Sequence, residues 1–506
     1  MSSIVDEEWS SLTIQLANDP ENFQHWESLL NYVSKDLTKL SPLPQIERFR
    51  ITFDQFLLKY PQAEKYWSIY AGLEFKLGNT DVAKLIYEKG LSFISYSLLL
   101  WTDFLKFLRV IELDYGKLVY FYQQAEFKIG FHYHSYEFWN DYLDFEEKYN
   151  GKSIYYYGIL RKVIELPIYN FAHFFQIWLN EIENINIKNF NKIVNESDLT
   201  NKLKIDLDKQ DLKKLDYHEL GLKLKKIFTD LYITVQYRSF ELYNFEKNLK
   251  LEYFIPDFFK SFEELTNWDK YLDYVEINGT EKQIIQLYER SLIPLSKYNN
   301  IWLKYANYYI GESRVLDAKN ILNRSLIYVD SSRAIPIYIK LSEIEISLNN
   351  YIKAKDLLTT VLINFPNQLI ILFKIIDLEY LINHKNLGFF KQWVIKLILN
   401  KPIELSIHLL IHLSNFKSLT IDNKLLDSIN NDERFNKISK FWIFYLDIQL
   451  RSNNSRSELI KTYNLALENL GDDDELLQKW YDDYLSYDTE DGIKKYFNIN
   501  RKLVLK

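Results

Sequence analysis

The stretch that decides the fold is residues 67–91, which read WSIYAGLEFKLGNTDVAKLIYEKGL. Its first half places Trp67, Tyr70 and Glu74 three or four residues apart, so they share one face of an α-helix. A Gly-Asn break follows, of the kind that ends helices. The second half starts at the small residue Ala83 and continues with apolar residues at helical spacing. The stretch therefore predicts two antiparallel helices joined by a tight turn.

Tryptophan marks further copies of this pattern. Within each group the markers recur at intervals of 34 to 41 residues, and the groups are Trp26, Trp67, Trp101, Trp139 and Trp178, then Trp268 and Trp302, then Trp442 and Trp480. Aromatic and acidic residues that share the marker's helical face are Tyr70, Glu74, Tyr142, Glu146, Tyr271 and Tyr305. One helix pair cannot bury such a stripe alone, whereas a stack of pairs can. We therefore predict an all-α fold, an α-solenoid of tandem helix pairs in which these residues form the core.

The marker spacing fails once, because 90 residues separate Trp178 from Trp268. The first part of this gap is polar, and residues 195–198 (NESD) are typical of a helix N-cap. From residue 217 to 251 the apolar spacing is helical again, which predicts one long linking helix. The predicted organisation is an N-terminal segment (1–19), an N-terminal array (20–182), a polar connector with the linking helix (183–251) and a C-terminal array (252–506).

Composition narrows the class of protein. Hydrophobic residues make up 47% of the 506 residues, while 13 Gly and 10 Pro are too few for a turn-rich β architecture. The formal net charge of −7 argues against a chain whose main task is to bind a phosphate backbone. There is no cysteine, which excludes a disulfide scaffold and a thiolate metal site. No apolar run is long enough for a membrane span, and we expect a soluble protein without a secretory signal.

Sequence motifs that would indicate nucleotide binding, metal binding or catalysis are incomplete. Residues 151–153 (GKS) resemble the end of a phosphate-binding loop, but Glu146 stands where that loop needs glycine. His132 and His134 are two residues apart, whereas metal ligands on a helix are three or four residues apart. Residues 472–474 (DDD) fit the N-terminus of a helix better than a calcium-binding loop. Five lysines are spread along a predicted helix: Lys213, Lys214, Lys223, Lys225 and Lys226. This pattern favours a solvated helix face over a basic stripe that binds RNA or an import factor. We assign no catalytic, cofactor-binding or metal-binding residue, no cofactor and no small-molecule substrate, and we expect no enzyme.

The recurrent Trp-x-x-Tyr-x-x-aromatic-Glu helix, followed by an Ala-x-x-Ile-Tyr-Glu helix, resembles the half-a-TPR (HAT) repeat. Four segments narrow the resemblance to the pre-mRNA-processing factors 39 and 42 of the U1 small nuclear ribonucleoprotein: residues 73–79 (LEFKLGN), 98–101 (LLLW), 159–167 (ILRKVIELP) and 268–274 (WDKYLDY). Residues 202–206 (KLKID) and 235–237 (VQY) favour factor 42, the fungal partner of factor 39. The resemblance is good from about residue 20 to 345 and poor beyond.

This resemblance implies a nuclear scaffold in pre-mRNA splicing that bridges the core U1 particle to other proteins and helps to select the 5′ splice site. It implies pairing with a second HAT-repeat protein similar to factor 39, or with a second copy, through the C-terminal repeats. Contacts with U1 RNA would be mostly indirect, and no membrane is involved. Two alternatives stay open: a HAT scaffold in mRNA 3′-end cleavage or ribosomal RNA processing, and a solenoid that binds RNA directly.

Overall fold

The part of the chain that the computed structural model describes consists of successive α-helices and the turns that join them. That part comprises residues 7–35, 37–186, 189–194, 216–250, 253–255, 261–383, 386–413, 416, 433–451, 456–471, 475–476, 480, 501 and 504. No strand occurs in these residues. The chain divides into two compact units, residues 1–305 and residues 306–506. The predicted all-α solenoid is confirmed.

The first unit is a succession of antiparallel helix pairs. Its helices are α1 (Glu7–Asn18), α2 (Phe23–Ser34), α3 (Leu43–Lys59), α4 (Glu64–Leu77), α5 (Thr80–Phe93), α6 (Leu98–Ile111), α7 (Tyr115–Ile129), α8 (Tyr136–Asn150), α9 (Ile154–Val163), α10 (Phe171–Glu183), α11 (Phe190–Ile193), α12 (Tyr217–Glu246), α13 (Phe262–Asn278) and α14 (Glu281–Leu295). Helix α15 (Asn299–Gly311) contains the boundary between the units.

The pair α4 and α5 shows how the sequence produces the repeat. Helix α4 ends because Gly78 adopts a left-handed conformation with φ of 92°, which only glycine reaches without strain. The backbone N–H groups of Gly78 and Asn79 then bond the carbonyls of Phe75 and Glu74, each at 3.0 Å. In α5, a side chain at Gly90 would lie 3.0 Å from the ring of Trp67, so glycine lets the two helices pack closely.

Helix α12 is the linking helix that the apolar spacing predicts. It begins at an N-cap, where the Asp216 carboxylate accepts hydrogen bonds from two backbone N–H groups. Its first half packs on α10, with Phe228 edge-on to Trp178 at a ring distance of 5.2 Å. Tyr232 lies against Phe171 at 5.3 Å. The helix is thus part of the core of the first unit rather than a free spacer.

The second unit repeats the same architecture. Its helices are α16 (Val315–Ser325), α17 (Ile335–Ser347), α18 (Tyr351–Asn364), α19 (Leu369–Ile382), α20 (Leu387–Leu399), α21 (Ile403–Leu413), α22 (Glu433–Asn436), α23 (Ser439–Arg451) and α24 (Arg456–Leu470). Trp442 of α23 is fully buried, and Trp480 stacks on Tyr463 of α24 at 3.9 Å. None of the helices described in either unit is both long enough and apolar enough to cross a membrane.

The division into compact units falls at a different residue from the predicted array boundary, and the arrays stay a prediction. Helices α13 and α14, which we expected to begin the C-terminal array at residue 252, belong to the first unit. The physical reason is that the carboxylate of Glu246, at the end of α12, is bound by side chains of both helices. At the N-terminus, the predicted segment 1–19 contains α1, and Arg48 of α3 covers its Trp9 ring at 4.8 Å. The predicted cap at residues 195–198 lies outside the described residues.

Candidate functional site

The marker tryptophans bond the turn that precedes their own helix. In five of them the indole N–H donates to the carbonyl six residues earlier, at 2.7–2.9 Å: Trp26, Trp67, Trp101, Trp302 and Trp442. Each of these five is the fourth residue of its helix. The carbonyl six residues earlier therefore lies in the turn or, at Asn436, at the last residue of the preceding short helix, where no helical N–H would otherwise satisfy it. In Trp139, also a fourth residue, the N–H bonds the carbonyl of Gly130 at 2.9 Å.

The two tryptophans beside the long gap behave differently. Trp178 is the eighth residue of α10 and Trp268 the seventh of α13, so the carbonyl six residues earlier already lies inside the helix. Among the described residues neither indole N–H has a hydrogen-bond partner, although both rings are buried. Each ring is covered by an arginine instead, Arg161 at 5.7 Å and Arg290 at 5.6 Å.

A buried glutamate ends the first helix of several pairs. Glu74 is fully buried and accepts two hydrogen bonds from Arg50 of the preceding helix, at 2.6 and 2.9 Å. It also accepts one from Asn79 in the turn, at 2.8 Å. Comparable buried carboxylates, each bonded within the turn or helix end and to an earlier helix, are Glu146, Glu345 and Glu379. Because a buried charge is costly unless it is paired, these contacts fix both the turn and the helix before it.

Glu345 shows the electrostatic consequence of this arrangement. Burial opposes its ionisation, but hydrogen bonds from Lys319 and Asn350 outweigh burial and lower the pKa of the carboxyl. The ammonium of Lys319 lies 2.6 Å from the carboxylate. The group is therefore held as a carboxylate, and its role is structural.

A deeply buried ion pair of the first unit joins Glu246 to Arg290. Two guanidinium nitrogens of Arg290 donate to the two carboxylate oxygens at 2.6 and 2.7 Å, and the side chains are only 2% and 5% exposed. The hydroxyl of Tyr271 donates to the same carboxylate at 2.7 Å, and a ring nitrogen of His134 lies 3.8 Å from it. The pair thus ties the end of α12 to α13, α14 and the turn before α8.

A cavity of about 340 Å³ lies next to this pair, within the first unit. Its walls come from α12, α13, α14 and the turn after α9, and they include Tyr237, Tyr271 and Tyr274. Burial and a hydrogen bond to Glu241 raise the pKa of Tyr274 to about 12, so its hydroxyl stays protonated near neutral pH. Such a wall offers aromatic surface and hydrogen-bond donors, which suits binding rather than acid–base catalysis.

The structure places all the residues of the predicted repeat signature in the core. These are Trp26, Trp67, Tyr70, Glu74, Trp101, Trp139, Tyr142, Glu146, Trp178, Trp268, Tyr271, Trp302, Tyr305, Trp442 and Trp480. As a set they fill the stack and do not converge on one site. Sequence reasoning missed Glu246 and the cavity. One signal was available, because Phe245-Glu246 repeats the helix-ending pair Phe145-Glu146.

The motifs that suggested other chemistry are structural where they are described. Residues 151–153 form the turn between α8 and α9, and the Lys152 ammonium lies 2.5 Å from the Glu181 carboxylate. The two histidines lie in the turn before α8 rather than on a helix. Within the described residues no three His, Asp or Glu side chains form a metal-binding group.

The lysines of the possible basic stripe are engaged in part. Lys223 forms an ion pair with Glu219 at 2.7 Å, and Lys225 forms one with Glu183. Two further lysines of the set, at positions 213 and 214, and the acidic run at 472–474 lie outside the described residues. Two of the cations in the predicted stripe thus already have carboxylate partners in the folded chain.

Comparisons with known proteins agree with this geometry. Two family models match, the PRP39 N-terminal HAT repeat over residues 10–180 and the PRP39 C-terminal HAT repeat over residues 241–380. The U1 small nuclear ribonucleoprotein component PRP42 of Saccharomyces cerevisiae is 34% identical over 363 residues, which cover 70% of this chain and 66% of that protein. Pre-mRNA-processing factor 39 of Schizosaccharomyces pombe is 26% identical over 384 residues, covering 72% and 61%.

A solved structure of CSTF-77 is a more distant neighbour. It is 13% identical, with a TM-score of 0.44, and the match covers 86% of this chain and 80% of that one. The chain spans slightly under two thirds of the length of the two curated relatives above. The two PRP39 repeat models together span more than half of the chain, and the stretch between them holds the polar connector.

Proposed function

The chain belongs to the PRP39 family of HAT-repeat proteins, and from that premise we propose that it is a non-catalytic scaffold subunit of the U1 small nuclear ribonucleoprotein in pre-mRNA splicing. The observation that carries the proposal is the match to both PRP39 repeat models on either side of the interrupted middle. The names of the relatives, a U1 component and a pre-mRNA-processing factor, support the same process.

The proposed mechanism is that of a rigid support. Stacked helix pairs offer a long surface on which several partners dock at fixed separation. In this mechanism the protein bridges the core U1 particle to other proteins in the nucleus and assists 5′ splice-site recognition during early spliceosome assembly. Contacts with U1 RNA are mostly indirect, which agrees with a net charge of −7.

The proposed partner is a second HAT-repeat protein similar to factor 39, with a homodimer as the alternative. The pairing region is placed at the end of the C-terminal array. Deleting the chain from about residue 385 onward should abolish pairing and leave the first unit folded, because that unit ends at residue 305. A truncated chain that still pairs would contradict this placement.

The experiment that tests the proposal is a tagged pull-down of the full chain from nuclear extract, with the RNA sequenced and the proteins identified. We expect U1 RNA and a second HAT-repeat protein, retained at moderate salt. A cleavage complex or a ribosomal RNA precursor instead would refute the splicing role and leave the fold untouched. Steep loss of RNA as salt rises, with no protein partner, would favour direct RNA binding.

A further inference from the structure

The cavity beside Glu246 and Arg290 opens onto a second depression of the first unit. This depression, of about 1190 Å³, runs along α7 and α9, and its lining shares Phe131, Glu165 and Leu166 with the cavity. Large aromatic side chains lie exposed along it: Phe127 is 53% exposed and Tyr155 is 68% exposed. At the cavity itself Tyr237 is 65% exposed. The two depressions share part of their lining and together form one surface with aromatic side chains along it.

One polar atom in the cavity wall lacks a hydrogen-bond partner among the residues that the structure describes. Gln286 of α14 lines the cavity and is only 5% exposed. Its side-chain amide nitrogen donates to the carbonyl of Phe127 at 3.3 Å, while its Oε1 has no hydrogen-bond partner among the described residues. A buried acceptor of this kind is costly unless a donor reaches it. A backbone N–H of a bound polypeptide is a donor of the right kind.

The charges along the surface favour an acidic occupant. Its carboxylates are already engaged: Glu126 pairs with Lys162 at 2.8 Å, and Glu165 pairs with Arg161 at 3.3 Å. Glu241 accepts a hydrogen bond from a tyrosine hydroxyl. In contrast, Arg238 and Lys282 line the surface and are exposed, and no described residue forms an ion pair with either. The charge left to attract a partner is therefore positive.

We propose that this surface binds an acidic segment of a partner protein. An aromatic or leucine side chain of that segment fills the cavity, a backbone N–H bonds Gln286 Oε1, and carboxylates face Arg238 and Lys282. A cavity of this size is within the range of about 300–1,000 Å³ that holds ligand groups. A short acidic segment fits better than RNA, because Arg238 and Lys282 are two exposed cations, which match a few carboxylates rather than a continuous run of phosphates.

The test uses the full chain and a phage-displayed library of random dodecapeptides. Peptides are selected on the wild-type protein after removal of those that bind the double variant Arg238→Glu/Lys282→Glu. The selected peptides are then synthesised and titrated by fluorescence anisotropy. We expect an excess of Asp and Glu around an aromatic residue or leucine, and about tenfold weaker binding to the double variant.

Two further variants make the result specific. Asn278 is exposed at the end of α13 and lines the cavity, so Asn278→Trp should block it and weaken binding without touching a charge. Lys76→Glu is the matched control, an exposed lysine of α4 that does not line either depression, and it should leave binding unchanged. Circular dichroism verifies that each variant is folded.

The outcomes separate the possibilities. Selected peptides without an acidic excess, or equal binding to wild type and the double variant, would refute the proposal. A labelled single-stranded RNA that competes for the same surface and loses affinity in the double variant would replace it with an RNA site. Either result leaves the splicing role to its own pull-down test, since this inference rests on the first unit alone.

Discussion

The regular helix pairs and the pairs that flank the gap between Trp178 and Trp268 all bury a marker tryptophan, but they differ in the hydrogen bond of its indole N–H. In the regular pairs the marker tryptophan is the fourth helical residue, and its N–H satisfies a carbonyl of the turn, as in Trp67 and Trp302. At the interruption the helices begin earlier, and Trp178 and Trp268 lose that bond while staying buried. In both kinds of pair the tryptophan ring fills the core. Whether its N–H also bonds a carbonyl of the turn depends on the residue at which the helix begins.

The buried glutamates differ in direction as well. Glu74 and Glu345 bind a cation on the immediately preceding helix, Arg50 and Lys319 respectively. Glu246 reaches forward, across 44 residues, to Arg290. That arginine also covers Trp268, the ring whose N–H is unbonded. At the gap between Trp178 and Trp268, where the regular spacing fails, the guanidinium of Arg290 thus connects α12 to α13 and α14. Where the spacing is regular, neighbouring repeats make such a connection.

The largest expected effect is the loss of a marker ring. Trp302 is 1% exposed, so Trp302→Ala should leave a cavity between helices and destabilise the chain by roughly 4 kcal/mol, as large aromatic truncations do. Urea unfolding followed by circular dichroism measures the change. Phe262→Ala is the control, because that ring is 84% exposed and should matter little. A loss below about 1 kcal/mol at Trp302 would contradict a core role for the marker.

The next effect tests the forward contact at the interruption. Arg290→Met removes the partner of a buried carboxylate and should cost about 3 kcal/mol, because Glu246 is left with an unpaired charge. The matched variant in a regular pair is Arg50→Met. Glu74 then keeps its hydrogen bond from Asn79 at 2.8 Å, and water can reach the place of an arginine that is 38% exposed, so the cost should be smaller, about 2 kcal/mol. The same unfolding assay compares them. Equal losses at the two positions would remove the distinction between the regions.

A finer test isolates the indole hydrogen bond. Trp302→Phe leaves the carbonyl of Ser296 without its donor, whereas Trp268→Phe removes an N–H that has no partner among the described residues. We expect Trp302→Phe to be the more destabilising by about 1 kcal/mol, the net value of a typical buried hydrogen bond. If Trp268→Phe costs as much or more, the difference in bonding does not govern stability.

The smallest effect concerns pH. The lowered pKa of Glu345 means that its carboxylate stabilises the folded state fully above about pH 4.3, the usual carboxyl value, and less as the pH falls through the lowered value. Glu345→Gln should therefore be less stable than wild type at neutral pH and lose less stability on acidification. Unfolding at a series of pH values measures this. A Glu345→Gln variant that loses stability on acidification as steeply as the wild type would contradict this role of the carboxylate.

Local features of the fold could be predicted from sequence, and contacts distant in sequence could not. The helix pair at residues 67–91, its turn at Gly78 and the linking helix all follow from spacing within one or two helical turns. The pairing of Glu246 with Arg290 spans 44 residues and depends on how α12 returns to α13 and α14, which no periodicity encodes. The same holds for the cavity, since its walls come from segments between Tyr96 and Arg290.

The proline residues show how closely the sequence alone can locate the end of a helix. Because proline cannot continue the interior of a helix, it is expected at or beyond a helix end. Pro61 and Pro366 follow helix ends, but Pro294 lies inside α14, one residue before the helix ends at Leu295. A proline in the last turn removes only one N–H, and this helix continues for one more residue. Sequence spacing locates such an end to within a residue, and packing decides the rest.

The six-residue offset between indole and carbonyl, shared by five of the marker tryptophans, shows where extra residues are inserted in the first repeats. The interval from Trp26 to Trp67 is 41 residues and that from Trp67 to Trp101 is 34, yet the offset is six residues at all three. The four-residue links between pairs, 60–63 and 94–97, are equal in length, whereas the link inside a pair varies from 78–79 to 35–42. In these first repeats the difference in length is therefore accommodated inside the pairs, and the two junctions between pairs keep their length.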